Sequence, residues 1–249
     1  MTYENNNEFS LNTYARIAGV LYLLIIVCGL FSELFVRSRL IVPGDAIHTA
    51  VNIMANDALF RVGFMSDLIM LLCDIALAVV FYALLKPVSQ TLALGAAFLR
   101  MAMDATLGIN LLNHFYALLL LSGESYLAAF DANQINALVS LYLEAHSIGY
   151  AIGLTFFAFH CLVLGYLFYK SSYFPKVFGI LLVFASFSYL IDSCAIFLFP
   201  KYETTDYAFI MLPALITELS ICLWLLIKGV STEKTECLSK PRLSVPGSA

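Results

Sequence analysis

The stretch LRMAMDATLGINLLNHF, residues 99–115, decides the fold of this chain. It is apolar enough to lie in a bilayer, yet it includes five charged or strongly polar residues, Arg100, Asp104, Asn110, Asn113 and His114. At ~100° of rotation per residue, all of these except Asn113 fall within about a third of the helix circumference. A charged side chain at the centre of a bilayer costs ~2.5–3.5 kcal/mol on insertion scales, so such groups face a protein interior or a wet cavity. We therefore predict that this helix forms the inner wall of a helical bundle.

The composition of the whole chain indicates a membrane protein. Of the 249 residues, 61% are hydrophobic and 12% are charged, with a mean hydropathy of +0.89. Soluble domains are ~45–50% apolar and ~25% charged. The lipid bilayer is the expected partner, whereas the few scattered basic residues make a nucleic-acid partner unexpected. Of the six cysteines, five lie in apolar stretches and no two form a C-x-x-C pair, so they are interpreted as small core residues.

Hydropathy along the chain predicts a single domain, residues 14–228, with six membrane-spanning helices. The predicted spans are residues 14–35, 61–85, 91–121, 138–169, 177–199 and 209–227. Two connectors, residues 45–60 and 124–137, are predicted to form amphipathic helices on the membrane surface. The predicted fold is therefore an all-α, six-helix transmembrane bundle with short amphipathic surface helices on its outer face. Residues 1–13 and 229–249 are expected to be disordered tails.

The distribution of basic residues predicts the orientation in the membrane. With the N-terminus inside, eight lysines and arginines lie on the inner side and four on the outer side. Because short cytoplasmic loops carry the excess of Lys and Arg, both termini are predicted to be cytoplasmic. We expect a multi-pass protein of the cytoplasmic membrane.

Seven polar residues of the spans are predicted to line a pocket inside the bundle: Asp67, Asp74, Arg100, Asp104, Asn110, Asp192 and Glu218. Five of them are acids, which is more than helix packing needs, and Arg100 is predicted to be their internal counter-charge. Arg100 and Asp104 are four residues apart and can pair along one helix. We interpret the acids as a site that binds or moves a cation, a proton or a small cationic solute. Another interpretation is that the protein is an assembly subunit, in which the polar groups only lock helices together.

Two histidines leave an intramembrane metal-dependent enzyme as an alternative. His114 and His146 are predicted near the outer ends of adjacent spans, with Asp67 or Asp192 as a third ligand. Two histidines and a carboxylate suit zinc or iron. The chain has no H-x-x-x-H, H-E-x-x-H or G-x-S-x-G motif and no phosphate-binding glycine loop. The leading interpretation is therefore non-enzymatic, with no cofactor.

Six segments, which cover nearly everything but the two tails, carry a resemblance to a known family. They are ARIAGVLYLLIIVCGLFSE (15–33), LFRVGFMSDLIMLLCDIALAVVFYALLKPV (59–88), INLLNHFYALLLLSG (109–123), HSIGYAIGLTFFAFHCLVLGYLFYKS (146–171), YLIDSCAIFLFP (189–200) and LPALITELSICLWLLIKG (212–229). They resemble bacterial membrane proteins catalogued as domain of unknown function 4386. The resemblance implies an all-helical, multi-span protein and supplies no activity. The recurrent polar positions associated with such sequences correspond here to Asp67, Asp74, Asn110, His146, Asp192 and Glu218.

Overall fold

Six long apolar helices dominate the structure. The computed structural model describes residues 10–199, 202 and 208–230. In this part of the chain the spans are α1 (Leu11–Leu40), α3 (Asp57–Leu85), α4 (Gln90–Leu120), α5 (Ala132–Lys170), α6 (Lys176–Leu198) and α7 (Leu212–Ile227). A shorter helix, α2 (Ala46–Ala55), lies between the first two spans, and a 3₁₀ turn, Ala208–Met211, precedes the last. The predicted all-α bundle with six spans is confirmed.

The spans form a closed ring. Each packs against the next span along the chain, and α7 returns to pack against α1. The polar side of α4 is turned to the inside of this ring, because the four polar residues that share one face, Arg100, Asp104, Asn110 and His114, are all buried. Large apolar side chains on the opposite faces, such as Phe98 and Ile109, are exposed, as lipid-facing residues must be. The predicted position of α4 on the inner wall is confirmed.

The first boundary differs from the prediction. Ser10 caps α1 by accepting a hydrogen bond from the backbone amide of Thr13, so the helix begins at Leu11. Residues 11–13 therefore belong to the first span and not to the predicted disordered tail. The remainder of that predicted tail, residues 1–9, lies outside the described residues.

Gly229 and Val230, which the prediction assigned to the C-terminal tail, are part of the ordered structure. Gly229 has a positive φ of 69° and follows the end of α7, where its amide donates to the carbonyl oxygen of Trp224. Val230 is buried against the apolar core. The rest of the predicted C-terminal tail, residues 231–249, lies outside the described residues.

The two predicted surface connectors take different forms. In the first, α2 exposes the apolar side chains of Ile47, Val51 and Met54, as expected for a helix on a membrane surface. Asp45 caps α2, and the amide of His48, which donates to the Asp45 carboxylate at 2.9 Å, lowers the pKa of Asp45. The second connector is a 3₁₀ turn, Ser125–Ala129, and residues 132–137 belong to α5.

The start of α5 explains that difference. Asp131 accepts a hydrogen bond from the amide of Gln134, and the Gln134 side chain accepts one from the amide of Asp131. This capping box satisfies free amides of the first turn, so the helix starts before the apolar segment does.

Helices α5 and α6 approach each other closely at a pair of glycines. A methyl group built on Gly179 would lie 2.6 Å from the carbonyl oxygen of Gly165, and one on Gly165 would lie 2.8 Å from that of Gly179. Only the absence of side chains allows the two backbones this distance, as is common where membrane helices cross.

Replacing Gly179 with alanine is therefore expected to force α5 and α6 apart. We expect the free energy of unfolding to fall by about 1–3 kcal/mol, the usual cost of overpacking. The measurement is the Tm of the detergent-purified protein. Gly95 on α4 has open space around it, so Gly95→Ala is the matched control and should not lower the Tm. Equal effects of the two substitutions would contradict the close approach.

Candidate functional site

A buried ion pair joins α3 to α4 in the middle of the ring. Arg100 Nε donates to Asp74 Oδ2 at 2.9 Å, and Arg100 Nη2 donates to Asp74 Oδ1. This bidentate geometry is the strongest that a guanidinium and a carboxylate form. Both side chains are almost completely buried, at 1% and 4% exposure. The pair therefore neutralises two charges that are costly to place inside a membrane.

His160 on α5 completes the surroundings of Arg100. Its Nε2 lies 3.1 Å from Arg100 Nη1, and its Nδ1 lies 2.8 Å from the carbonyl oxygen of Ala96. Because a guanidinium only donates and a carbonyl only accepts, Nε2 is the acceptor and Nδ1 carries the proton. His160 is thus neutral, and Arg100 connects three helices.

The predicted pairing of Arg100 with Asp104 along α4 does not form. Neither carboxyl oxygen of Asp104 accepts a hydrogen bond from Arg100 or from another described N–H or hydroxyl donor. Arg100 instead reaches across to Asp74, whose two oxygens match its Nε and Nη2 atoms. An acid that follows its basic partner by four residues is also the weaker order for pairing on a helix.

A second polar cluster lies nearer the other end of the same helices. It consists of Asp67 on α3, His114 on α4 and His146 on α5, all buried. One possible ligand atom from each residue lies within 4.8 Å of the other two. The sequence left Asp67 and Asp192 open as the third ligand, and the structure brings Asp67 to the histidines.

Each residue of this cluster has one buried atom with no hydrogen-bond partner among the described residues. These atoms are Asp67 Oδ1, His114 Nδ1 and His146 Nε2. The large majority of buried polar atoms in proteins do have a partner. Three unpartnered atoms on three adjoining side chains, each of a kind that binds metals, therefore need an explanation.

The protonation of His114 follows from its other ring nitrogen. His114 Nε2 lies 3.3 Å from the carbonyl oxygen of Phe60, so it carries the proton and donates. The lone pair is then on Nδ1, the unpartnered atom. The Phe60 ring stacks on the imidazole with 3.9 Å between ring centroids and fixes its plane.

The unpartnered atom of His146 is Nε2, and its other ring nitrogen faces the backbone of α4. Nδ1 lies 3.3 Å from the carbonyl oxygen of Asn110, and the tautomer that donates to this oxygen has its lone pair on Nε2. Asn110 Nδ2 lies 3.3 Å from the same nitrogen and donates to the carbonyl oxygen of His146 at 2.8 Å. Metal-binding histidines typically donate their other N–H group to a backbone carbonyl in this way.

Gly149 on α5 makes room for Asn110. A methyl group at Gly149 would lie 2.1 Å from Asn110 Oδ1, an impossible contact. The same oxygen accepts a hydrogen bond of 3.0 Å from Asn113 Nδ2. Asn110 is thus a positioning residue for His146, fixed by a glycine and a second asparagine.

Arg37 orients the carboxylate of Asp67. Arg37 Nη1 donates to Asp67 Oδ2 at 2.6 Å, and Arg37 Nε donates to Glu33 Oε2 at 2.8 Å. Both Glu33 and Arg37 lie in a π-helical segment of α1, Phe31–Arg37, a form that is frequent at functional sites. The predicted first span ends at residue 35 and leaves Arg37 outside it, although the spacing of four residues from Glu33 was a signal that the helix continues.

A small cavity borders Asp67 and His146. It offers about 10 Å³ to the centre of a water molecule, which is room for about one water or one ion. The remaining lining residues are Met70, Leu71, Leu107, Leu111 and Tyr150.

The last two predicted pocket residues pair with tyrosines, and the charge of Glu218 also interacts with Arg100 and Asp74. Asp192 accepts a hydrogen bond of 2.6 Å from the hydroxyl of Tyr202, and Glu218 accepts one from the hydroxyl of Tyr189. The predicted site residues thus fall into separate groups.

Six long apolar helices with polar groups turned inward define a multi-pass helical membrane protein. The family model described as "Domain of unknown function (DUF4386)" matches residues 17–229, and the chain belongs to this family. It is also 28% identical over 173 residues to an uncharacterized protein of Archaeoglobus fulgidus, covering 70% of this chain and 86% of that protein. No solved structure matches the chain. These comparisons confirm the family resemblance seen in the sequence, and neither the family description nor the name of the relative gives an activity.

Asp74→Asn tests the buried ion pair. It leaves the buried guanidinium of Arg100 without a counter-charge, so we expect a loss of about 3–5 kcal/mol in the free energy of unfolding. The measurement is the Tm in detergent, together with the yield of folded protein. Asp57→Asn on the same helix breaks an exposed pair with Arg61 and should change the Tm little. An unchanged Tm for Asp74→Asn would show that Arg100 has another partner.

Proposed function

We propose that this protein binds one divalent transition-metal ion through Asp67, His114 and His146. The observation that carries the proposal is the set of three unpartnered ligand atoms in one buried cluster. Leaving a buried polar atom without a partner costs about 1–3 kcal/mol. A metal ion that accepts all three lone pairs removes this cost at once.

The surroundings of the cluster support a cation. Both histidines are neutral and turn a lone pair away from the backbone carbonyl to which they donate. Asp67 and Glu33 contribute two negative charges and Arg37 one positive charge. A divalent ion brings the total to +1, and one bound hydroxide brings it to zero.

The ligand set indicates the metal and its chemistry. Two imidazoles and one carboxylate suit Zn²⁺ or Fe²⁺. Structural zinc sites have four protein ligands, whereas catalytic sites have three and keep a position open for water. Here two of the three ligands, Asp67 and His146, line a cavity with room for about one water molecule. The proposed function is therefore that of a metal-dependent intramembrane hydrolase, in which the metal lowers the pKa of a bound water.

The proposed metal ion would also be the cation that the sequence predicts. Of the acids predicted to line a pocket, Asp67 is the one that meets two neutral imidazoles. Asp74 is paired with Arg100, while Asp192 and Glu218 accept hydrogen bonds from tyrosines. The proposal therefore favours a fixed metal ion over a pathway for cations lined by all five acids.

We further propose that the metal centre lies in the outer half of the membrane. Asp67 and His146 lie in the first half of their helices and His114 in the last third of its own, so all three are on one side of the bundle. The distribution of Lys and Arg predicts that both termini are on the opposite, cytoplasmic side.

Zinc content is the first test. After dialysis against Zn²⁺ and removal of excess metal, we expect one zinc ion per chain in the detergent-purified protein. His146→Ala and His114→Ala should each lose it, because each removes one of three ligands. His48→Ala is the matched control, since His48 is exposed on α2. The measurement is elemental analysis, with Co²⁺ loading and visible absorption as a second readout. Wild-type protein with no more metal than the His146→Ala variant would refute the site.

Gly149→Ala tests how His146 is positioned. The added methyl group displaces the Asn110 side chain, so the hydrogen bond to the carbonyl oxygen of His146 is lost. We expect Zn²⁺ affinity to fall ~10–100-fold, as for other residues that orient metal ligands. Affinity is measured by competition with a chelator.

Two further variants separate this effect from general damage. Gly108→Ala on α4 adds a methyl group in open space and should leave Zn²⁺ affinity unchanged. Asn110→Ala should weaken binding as much as Gly149→Ala does. If Asn110→Ala bound Zn²⁺ normally, the role assigned to Asn110 would be wrong.

A further inference from the structure

One buried carboxyl group outside the proposed metal centre has no donor to accept from. Asp104 on α4 is 4% exposed, and neither of its oxygens accepts a hydrogen bond from a described N–H or hydroxyl group. Its side chain lies within hydrogen-bonding reach of the Asp74 carboxyl group, a contact that needs a proton on one of the two. It lies ten residues before His114, or ~15 Å along the helix, so it is distinct from the proposed metal ligands. The ionisable groups that act on it are Asp74 and Arg100.

None of the N–H groups of Arg100 donates to Asp104. Its Nε and Nη2 donate to the two oxygens of Asp74, and its Nη1 donates to His160. The faces of the guanidinium are covered by the rings of Tyr22 and Phe157, at 6.0 and 5.3 Å from Cζ to the ring centroids. The charge of Arg100 is therefore balanced by one carboxylate, that of Asp74.

The other groups in this part of the ring bring no second positive charge. Tyr22 from α1 and Glu218 from α7 interact with Arg100, and Glu218 also interacts with Asp74. His160 from α5 is neutral, because its Nδ1 proton is donated to a carbonyl and its Nε2 accepts from Arg100. An ionised Asp104 would thus be an extra negative charge with neither a counter-ion nor a donor, which a membrane interior strongly disfavours.

We propose that Asp104 carries a proton and that Asp104 and Asp74 together form a proton-binding site in the middle of the bundle. In this state Asp104 is a neutral carboxylic acid, and the single negative charge on Asp74 is balanced by Arg100. Release of the proton to a water molecule leaves a carboxylate on Asp104. The site does not depend on the metal centre, since the two clusters share no residue.

Release of this proton has a structural consequence. Asp104 is four residues after Arg100 on α4, within reach of its side chain. Once ionised, Asp104 competes with Asp74 for the guanidinium. Because Asp74 is on α3 and Asp104 on α4, the bond between these two helices then depends on whether the proton is bound.

Infrared spectroscopy detects such a proton directly. A protonated carboxylic acid has a carbonyl stretch that an ionised carboxylate lacks, and it shifts in D₂O. We expect wild-type protein at neutral pH to show such a band that also shifts when aspartate is labelled with ¹³C at the side-chain carboxyl. The absence of any label-sensitive band of this kind overturns the proposal without the need for a variant.

Two variants assign the band. Asp104→Asn should abolish it, and Asp57→Asn, which removes an exposed acid in an ion pair, should leave it. If Asp104→Asn does not fold, Asp104→Glu is used, and the band should then lose its sensitivity to labelled aspartate. A label-sensitive band that persists in the Asp104 variant overturns the proposal. Glu218, which is partly buried, contributes no aspartate-sensitive signal and is therefore distinguished by the label.

Discussion

The structure depends on the need to satisfy one guanidinium in the middle of a membrane. Arg100 is buried where an unpaired charge would not be tolerated, so helices that carry its partners must surround it. Asp74 from α3 balances its charge, His160 from α5 accepts its third hydrogen bond, and Tyr22 from α1 covers one face. Moving these two charges out of water costs free energy, and this cost offsets much of the stability gained from their attraction. We therefore interpret the pair as specifying the arrangement of the helices.

The orientation that satisfies Arg100 also brings together the proposed metal ligands Asp67, His114 and His146. Asp67 precedes Asp74 by seven residues, and side chains seven apart share a face of a helix. His146 precedes His160 by fourteen residues, which is again nearly a whole number of turns. The faces of α3 and α5 that meet Arg100 therefore also bring Asp67 and His146 together, farther toward one end. His114 joins them from α4, fourteen residues after Arg100.

The fold could be predicted further from the sequence than the site could. Long apolar segments and the polar face of α4 follow from composition and helical period, which are local properties. The choice between Asp67 and Asp192 as the third ligand depends on the order of the helices around the ring. Helix α3, which carries Asp67, packs against α4, whereas α6, which carries Asp192, packs against α5 and α7.

The sequence also does not reveal which side chains on neighbouring helices can reach each other. The pairing of Arg100 with Asp74 rather than Asp104 depends on how the two helices are rotated about their axes. Arg37 was missed because its charge suggested a loop. Its position inside the bundle depends on a π-helical segment of α1 that hydropathy does not reveal.

Whether a buried polar side chain has a hydrogen-bond partner distinguishes a structural role from a functional one. A bundle that used polar residues only to lock its helices would pair them, as Arg100 pairs with Asp74 and Glu218 with Tyr189. Among the described residues, eight buried side-chain atoms lack a partner, and five of these belong to Asp67, Asp104, His114 and His146. Since an unsatisfied buried atom destabilises the folded state, their concentration on four inward-facing residues is best explained by ligands that complete them. The proposed metal ion at three of these residues, and the proposed proton by which Asp104 bonds to Asp74, meet that requirement with the smallest ligands that the chemistry of the side chains allows.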